Sequence, residues 1–236
     1  MYALDPQRLL EVWERGARRH PIDRALLLFG LAEPELAPGQ LADLPLSWRN
    51  AAVMTLRLAW LGNPLPVWCD CPACGERMEL TVDAEQLPAR PGFRPIEVDI
   101  DGLRFSPPTS RHLAALANAP DPEEAARRLL AACASTPESL PTEPRHLAAL
   151  LDVVDAALEQ ADPWLELSLA VTCPACGQQS EPSLDIAAIV WDELDAVARR
   201  VLDEVNVLAQ AYGWHERDIL GMSEQRRAAY LERLQA

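Results

Sequence analysis

Trp68–Leu80 reads WCDCPACGERMEL, and about a hundred residues later Ala170–Pro182 reads AVTCPACGQQSEP. Laid over each other, Cys71, Pro72, Ala73, Cys74 and Gly75 fall on Cys173, Pro174, Ala175, Cys176 and Gly177, and Glu79, Val82 and Asp83 fall on Glu181, Leu184 and Asp185. The segment is an internal repeat of strand, knuckle turn and strand. In a C-P-x-C-G turn the backbone curls until both sulfurs face one centre, and the glycine supplies the left-handed conformation the curl requires. Two such knuckles bring together four thiolates, Cys71, Cys74, Cys173 and Cys176. Tetrahedral Cys₄ is a closed structural Zn²⁺ set with no position left for a substrate. Apparent zinc binding free energies in small domains, about 10–16 kcal/mol, are large beside an ordinary domain's stability. The expected cofactor is therefore structural Zn²⁺, a staple between distant segments.

The same cysteines allow two other readings. A C-x-x-C can be a thioredoxin-like redox pair, but two glycine-followed copies flanked by strands fit a ribbon better. Two separate metal sites, or a metal-bridged dimer, need further ligands that are not found nearby. Cys69, two residues before Cys71 on the same strand face, could compete as a ligand. The preferred reading makes it and Cys133, within LLAACA, small hydrophobes.

Outward from the cysteines, helical spacing dominates. Asp5-Pro6 opens a helix carrying Leu9, Leu10 and Trp13, His20-Pro21 breaks it, Ile22–Phe29 resumes it, and LAEPELAPGQ reads as a loop. Leu46-Ser47 starts a helix with Ala52, Leu56, Ala59 and Trp60 on one side, stopped at Gly62. MELTVDAEQL reads as a short strand. Ile96, Val98 and Ile100 alternate, Asp101-Gly102 suits a type I′ turn, and Leu103 and Phe105 return. Thr109/Ser110 and Asp121-Pro122 open two helices, STPESLPTEP is a linker, Pro144–Gln160 is amphipathic, and Leu165, Leu167, Leu169 and Val171 alternate as a strand. Trp191, Leu194, Ala198, Val201, Val205, Leu208 and Tyr212 form one apolar seam that Gly213 ends. Short helices follow around Glu216–Leu220 and, capped by Ser223, Glu224–Leu234.

The fold class is thus α+β and mostly helical, with helices around a discontinuous two-knuckle ribbon and short antiparallel strands. Residues 1–190 are expected to form a helical domain with embedded knuckles at 69–83 and 165–185. Residues 191–236 would form the seam helix and two short helices.

Composition narrows the function classes. Of 236 residues, 49% are hydrophobic and 24% charged, ordinary for a globular chain, while 21 prolines keep helices short to medium. With 36 acidic against 21 basic residues, the net charge of -15 repels a phosphate backbone, so nucleic acid is an unexpected partner. No apolar run is long enough to span a membrane, and MYALDPQRLLEVWERG lacks the apolar region of a signal peptide. The expected location is cytoplasmic, or within an assembled particle. No phosphate-binding, dinucleotide, nucleophile-elbow or zincin motif occurs, and His20, His112, His146 and His215 lie in unrelated contexts. No catalytic residue and no small-molecule substrate are expected.

WRNAAVMTLRLAWLGNPLPVWCDCPACGERMELTVD, GLRFSPPTSRHLAAL, ADPWLELSLAVTCPACGQQSEPSLDIAAIVWDEL and the closing LAQAYGWHERDILGMSEQRRAAYLERL, taken in order, resemble the T-even-phage-type baseplate protein and baseplate hub assembly chaperone family of contractile phage tails and tail-like injection systems. The likeness covers most of the chain; Trp68 and Cys69 depart from it, where an apolar strand without an extra thiol is expected. The resemblance implies a non-catalytic interaction protein whose partners are baseplate or hub proteins. The residues favoured for docking are Trp214, Arg226, Arg227 and Tyr230, with Tyr212, Ile219 and Leu220 more readily folding back on the seam helix. A zinc-ribbon module for nucleic acid or transcription is the alternative.

Overall fold

A computed structural model describes residues 5–83, 87–92 and 96–235. It is 56% helical with short antiparallel strand pairs, so the α+β, mostly helical class holds. Ten α-helices are described: α1 (Pro6–Gly16), α2 (Pro21–Ala32), α3 (Pro38–Leu41), α4 (Leu46–Leu61), α5 (Ser110–Ala115), α6 (Pro122–Cys133), α7 (Pro144–Ala161), α8 (Ile186–Tyr212), α9 (Glu216–Leu220) and α10 (Glu224–Gln235). The strands are β1 (Leu65–Asp70), β2 (Arg77–Val82), β3 (Val98–Ile100), β4 (Leu103–Phe105), β5 (Val171–Thr172) and β6 (Gln179–Ser180). Among the described residues they form the ladders β1–β2, β3–β4 and β5–β6, all antiparallel, and Phe105 of β4 also bridges to Ala134.

Helix starts follow their caps. The carboxylates of Asp5, Asp121 and Asp185 accept from the backbone N–H groups of Arg8, Glu124 and Ala188, and the Thr109 hydroxyl accepts from that of His112. Gly213 ends α8 in the left-handed region at φ 70°. The β3–β4 turn has φ 52° at Asp101 and 84° at Gly102, both positive as a type I′ turn demands. Residues 84–86 of the expected strand MELTVDAEQL lie outside the described residues.

The centre is a packing of α1, α2, α4 and α8. One cluster joins Val12, Leu28, Phe29, Val53 and Met54 to Ile186, Val190, Trp191 and Leu194, and each such side chain taken fully from water contributes about 1.5–3 kcal/mol. A second joins Leu9 and Leu10 to Ala198, Val201, Val205, Leu208 and Ile219. Both clusters draw on α8, whose 27 residues run about 40 Å. The boundary expected at 190/191 therefore falls inside one helix, between two residues buried in the same cluster. The helix also begins earlier than the seam does, because Asp185 caps it at Ile186.

A third apolar cluster lies wholly between the two knuckles. Phe105, Leu130, Val154 and Leu158 form its centre, and its outer members run from Val98 to Leu165.

Three further expectations change. Helix α4 is enclosed all round rather than on one face, since Ser47, Arg49, Asn50 and Arg57 are buried along with Ala52 and Leu56. The strand expected from Leu165 reduces to Val171–Thr172, although Leu169 N–H still donates to the Pro182 carbonyl and Leu184 N–H to that of Leu167. Pro182 has no N–H to return to the ladder, which stops regular pairing there. The segments read as loop and linker contain α3 and a 3₁₀ turn at Pro137–Ser139.

Candidate metal centre

Each knuckle is carried at the tip of a ladder. β1 and β2 pair in register with Cys69 opposite Met78 and Asp70 opposite Arg77, which brings the chain to Cys71. There the Cys71 N–H donates to the Glu76 carbonyl (2.8 Å), and the Gly75 N–H to that of Cys71 (2.9 Å). The second knuckle repeats this atom for atom: Cys173 N–H to Gln178 carbonyl, 2.9 Å, and Gly177 N–H to Cys173 carbonyl, 2.9 Å. Gly75 and Gly177 have φ of 74° and 75°, the left-handed conformation expected of both.

The two tips face each other. Cys71 Sγ lies 3.6 Å from Cys176 Sγ, and Cys74 Sγ lies 3.7 Å from Cys173 Sγ. The four ligand atoms all fall within 4.8 Å of one another, so Cys71, Cys74, Cys173 and Cys176 form a set that could hold a metal ion. All four are free thiols, not disulfides. The first cysteine of each pair is buried and the second exposed, which puts the centre at the surface with one side covered.

Backbone N–H groups and crowding tune these thiols unequally. Hydrogen bonds from the Cys74 and Ala73 backbone, in that order, bring Cys71 down to about 7. For Cys74 the Glu76 backbone is the largest single influence and lowers the value. The contact with Cys176, burial, and the contacts with Cys71 and Cys173 together outweigh it, raising the thiol to about 12. A cation among the four sulfurs replaces this mutual competition with a shared attraction.

Beneath the centre Met78 and Val171 pack against Cys71 and Cys173, with Cys69, Leu80 and Leu169 at the margin. The repeat explains Cys69: its counterpart in the second knuckle is Val171, and each points to this apolar patch. Cys69 thus stands where a small hydrophobe stands in the other copy, outside the ligand set. Trp68, on the opposite face of β1, is 48% exposed.

Cys133 is buried in the third cluster's neighbourhood with its Sγ 3.9 Å from His112 Nδ1, a pairing across α5 and α6 that sequence separation concealed. Burial pushes the thiol up to about 12 and, as its largest cause, the imidazole down. Both are thereby favoured in their neutral forms.

The residues expected at a docking surface divide. Tyr212 and Trp214 stack, ring centroids 4.5 Å apart, and Tyr230 meets Trp214 edge to face at 4.8 Å; all three are half-buried. Arg226 is exposed. Arg227 is instead 3% exposed, its Nε donating to Glu204 at 2.8 Å and its Nη1 to the Met222 carbonyl at 2.8 Å, so it ties α10 to α8. Ile219 is buried in the second cluster.

No helix among the described residues is long and apolar enough to cross a membrane. Comparison with protein-family models, with curated proteins and with solved structures finds no match for the chain.

Proposed function

We propose that the protein is a non-catalytic interaction protein that helps to build, or forms part of, the baseplate of a contractile phage tail or tail-like injection particle. Its Cys₄ centre holds structural Zn²⁺. The observation that carries the zinc reading is the sulfur geometry. Zn–S bonds of about 2.3 Å in a tetrahedron separate the sulfurs by roughly 3.8 Å, and the cross-knuckle pairs stand at 3.6 and 3.7 Å. Four thiolates complete the coordination shell, so the metal binds chain to chain and offers no open position.

The sequence resemblance supplies the baseplate context, and the half-buried Tyr212, Trp214 and Tyr230 group supplies a surface of the amphipathic aromatic kind that partners use. A nucleic-acid module is disfavoured by the surface beside the knuckle. Exposed Trp68 sits directly across the ladder from Glu79, and the Arg77 beside it is balanced by Asp70 opposite, which leaves little net charge for a phosphate. An immunoblot across purified particles and producer-cell lysate tests the proposal. A fixed ratio to sheath or hub protein marks a baseplate component, presence in lysate alone marks an assembly helper, and a producer that makes no such particle refutes the reading. Retardation of duplex DNA at physiological salt would favour the nucleic-acid alternative.

A further inference from the structure

Helices α6 and α7 run beside two cavities of about 300 and 310 Å³ that share Ala126 and Leu151 as walls. The first takes its walls from the beginnings of both helices and the second from residues further along both, so the pair follows the crease between them. The second cavity is floored by Leu113, Leu130, Leu151, Val154 and Leu158, and the charged side chains on its wall, Asp155 and Glu166, are both carboxylates. Among the described residues neither forms an ion pair. The charges that act on Asp155 repel it. Burial, then Glu166 and Asp152, push the Asp155 carboxyl up, and burial, then Asp155 and Glu166, do the same to Glu159. An apolar hollow with an uncompensated acidic lip is complementary to an apolar group that brings its own cation.

The shape selects among carriers of that chemistry. Helix α6 has 12 residues, about 18 Å, so a partner helix of three to four turns reaches from one cavity to the other with apolar anchors at i, i+3 or i+4, and i+7. A second copy of this chain, with its net charge of -15, brings more acid to an acidic lip. We propose that the α6–α7 crease is the docking groove for a basic amphipathic helix of a partner protein, its apolar residue filling the second cavity and its Lys or Arg meeting Asp155 and Glu166. The inference stands independently of the baseplate reading.

The test is fluorescence anisotropy of a labelled helical peptide of about four turns, Leu at the anchor positions and Lys elsewhere, titrated with the full-length protein. The same peptide with Glu for Lys is the comparison. The Lys peptide is expected to bind, to weaken in high salt, and to lose about tenfold or more in affinity both to the charge-reversed Asp155→Lys/Glu166→Lys variant and to the cavity-filling Ala126→Phe variant. The same charge change at the exposed Glu216 and Asp218 of α9, Glu216→Lys/Asp218→Lys, should leave binding unaltered, with circular dichroism showing every variant folded. Equal loss in the α9 variant, retention by both groove variants, or equal binding of the Glu peptide overturns the proposal. So does a wild-type dimer that Ala126→Phe splits, since a second copy would then be the occupant.

Discussion

Arg57 and Glu193 form a bidentate ion pair across the core, with Nη2 2.8 Å from Oε1 and Nε 2.9 Å from Oε2, the two side chains 2% and 13% exposed. The same guanidinium donates to the carbonyls of Gly62 and, at 2.9 Å, Pro64, on the path from α4 into β1. Glu193 belongs to α8, which the second knuckle feeds. One arginine therefore aligns both chain routes to the metal centre. Replacing Arg57 by Met strands a largely buried carboxylate and two carbonyls and should cost about 3–5 kcal/mol in denaturant unfolding. Glu193→Gln, which keeps shape and some hydrogen bonding, should cost about 1–3 kcal/mol.

Purified protein should carry about one zinc per chain by elemental analysis, the load of a single Cys₄ site. Cys173→Ser should lose metal and solubility, whereas Cys69→Ser should keep a full complement. Metal-free protein with an unchanged melt would remove the staple. Because Cys74 and Cys176 are exposed, a chelator should strip the ion without prior global unfolding, and melting temperature should fall afterwards.

Gly16 faces Trp191, and a Cβ built there overlaps the indole ring at Cη2 and Cζ3. The Arg24 guanidinium lies over the ring, 5.0 Å from its centroid, and the indole is buried in the core, so it has little room to retreat. Gly16→Ala should destabilise by about 1–3 kcal/mol despite alanine's better helix propensity. Thermal melting without loss would show that the α1–α8 contact yields.

The Glu124 carboxyl is held at about 2, first by Arg127 and then by Arg128. A folded value below the ordinary 4.5 means that its stabilisation is complete above about pH 4.5 and fades as pH falls toward 2. Glu124→Gln should flatten that part of the acid unfolding curve. Asp155 has the opposite sign: its raised value makes ionisation unfavourable to the fold, a penalty that grows as pH rises through it. Asp155→Asn should therefore raise the melting temperature at neutral pH and change little in acid.

Trp214→Ala removes the ring that both tyrosines contact, worth about 0.5–1.5 kcal/mol per aromatic pair. The protein should still fold, and its co-purification with particles or hub protein should drop. Undiminished association would move the docking surface elsewhere.

Much of this was legible because its causes are local. Caps at Asp5, Thr109 and Asp121 located helices within a turn, and the C-P-A-C-G spacing picked out the four cysteines that come together, whereas the Asp185 cap of α8 was missed because the apolar seam is clear only from Trp191. What escaped has distant causes. The burial of Arg49, Asn50 and Arg57 depends on Ser110, the Trp164 carbonyl and Glu193, partners between 61 and 136 residues away that no periodicity in α4 reveals. Arg227 looked like a surface charge because Glu204, its countercharge, sits on a different helix. Cys69 packs as the small hydrophobe expected of it, in the place that Val171 holds in the other copy.

The third apolar cluster, confined to residues between Val98 and Leu165, gives the metal centre a further meaning. The polypeptide leaves the first knuckle, builds a small core of its own, and comes back to the second, so the four sulfurs sit where the two necks of this excursion meet. The excursion is also tied to the host away from those necks, through Ser110 on Arg49 and the Trp164 carbonyl on Asn50, so a metal at the necks would close a loop that is already anchored on its far side.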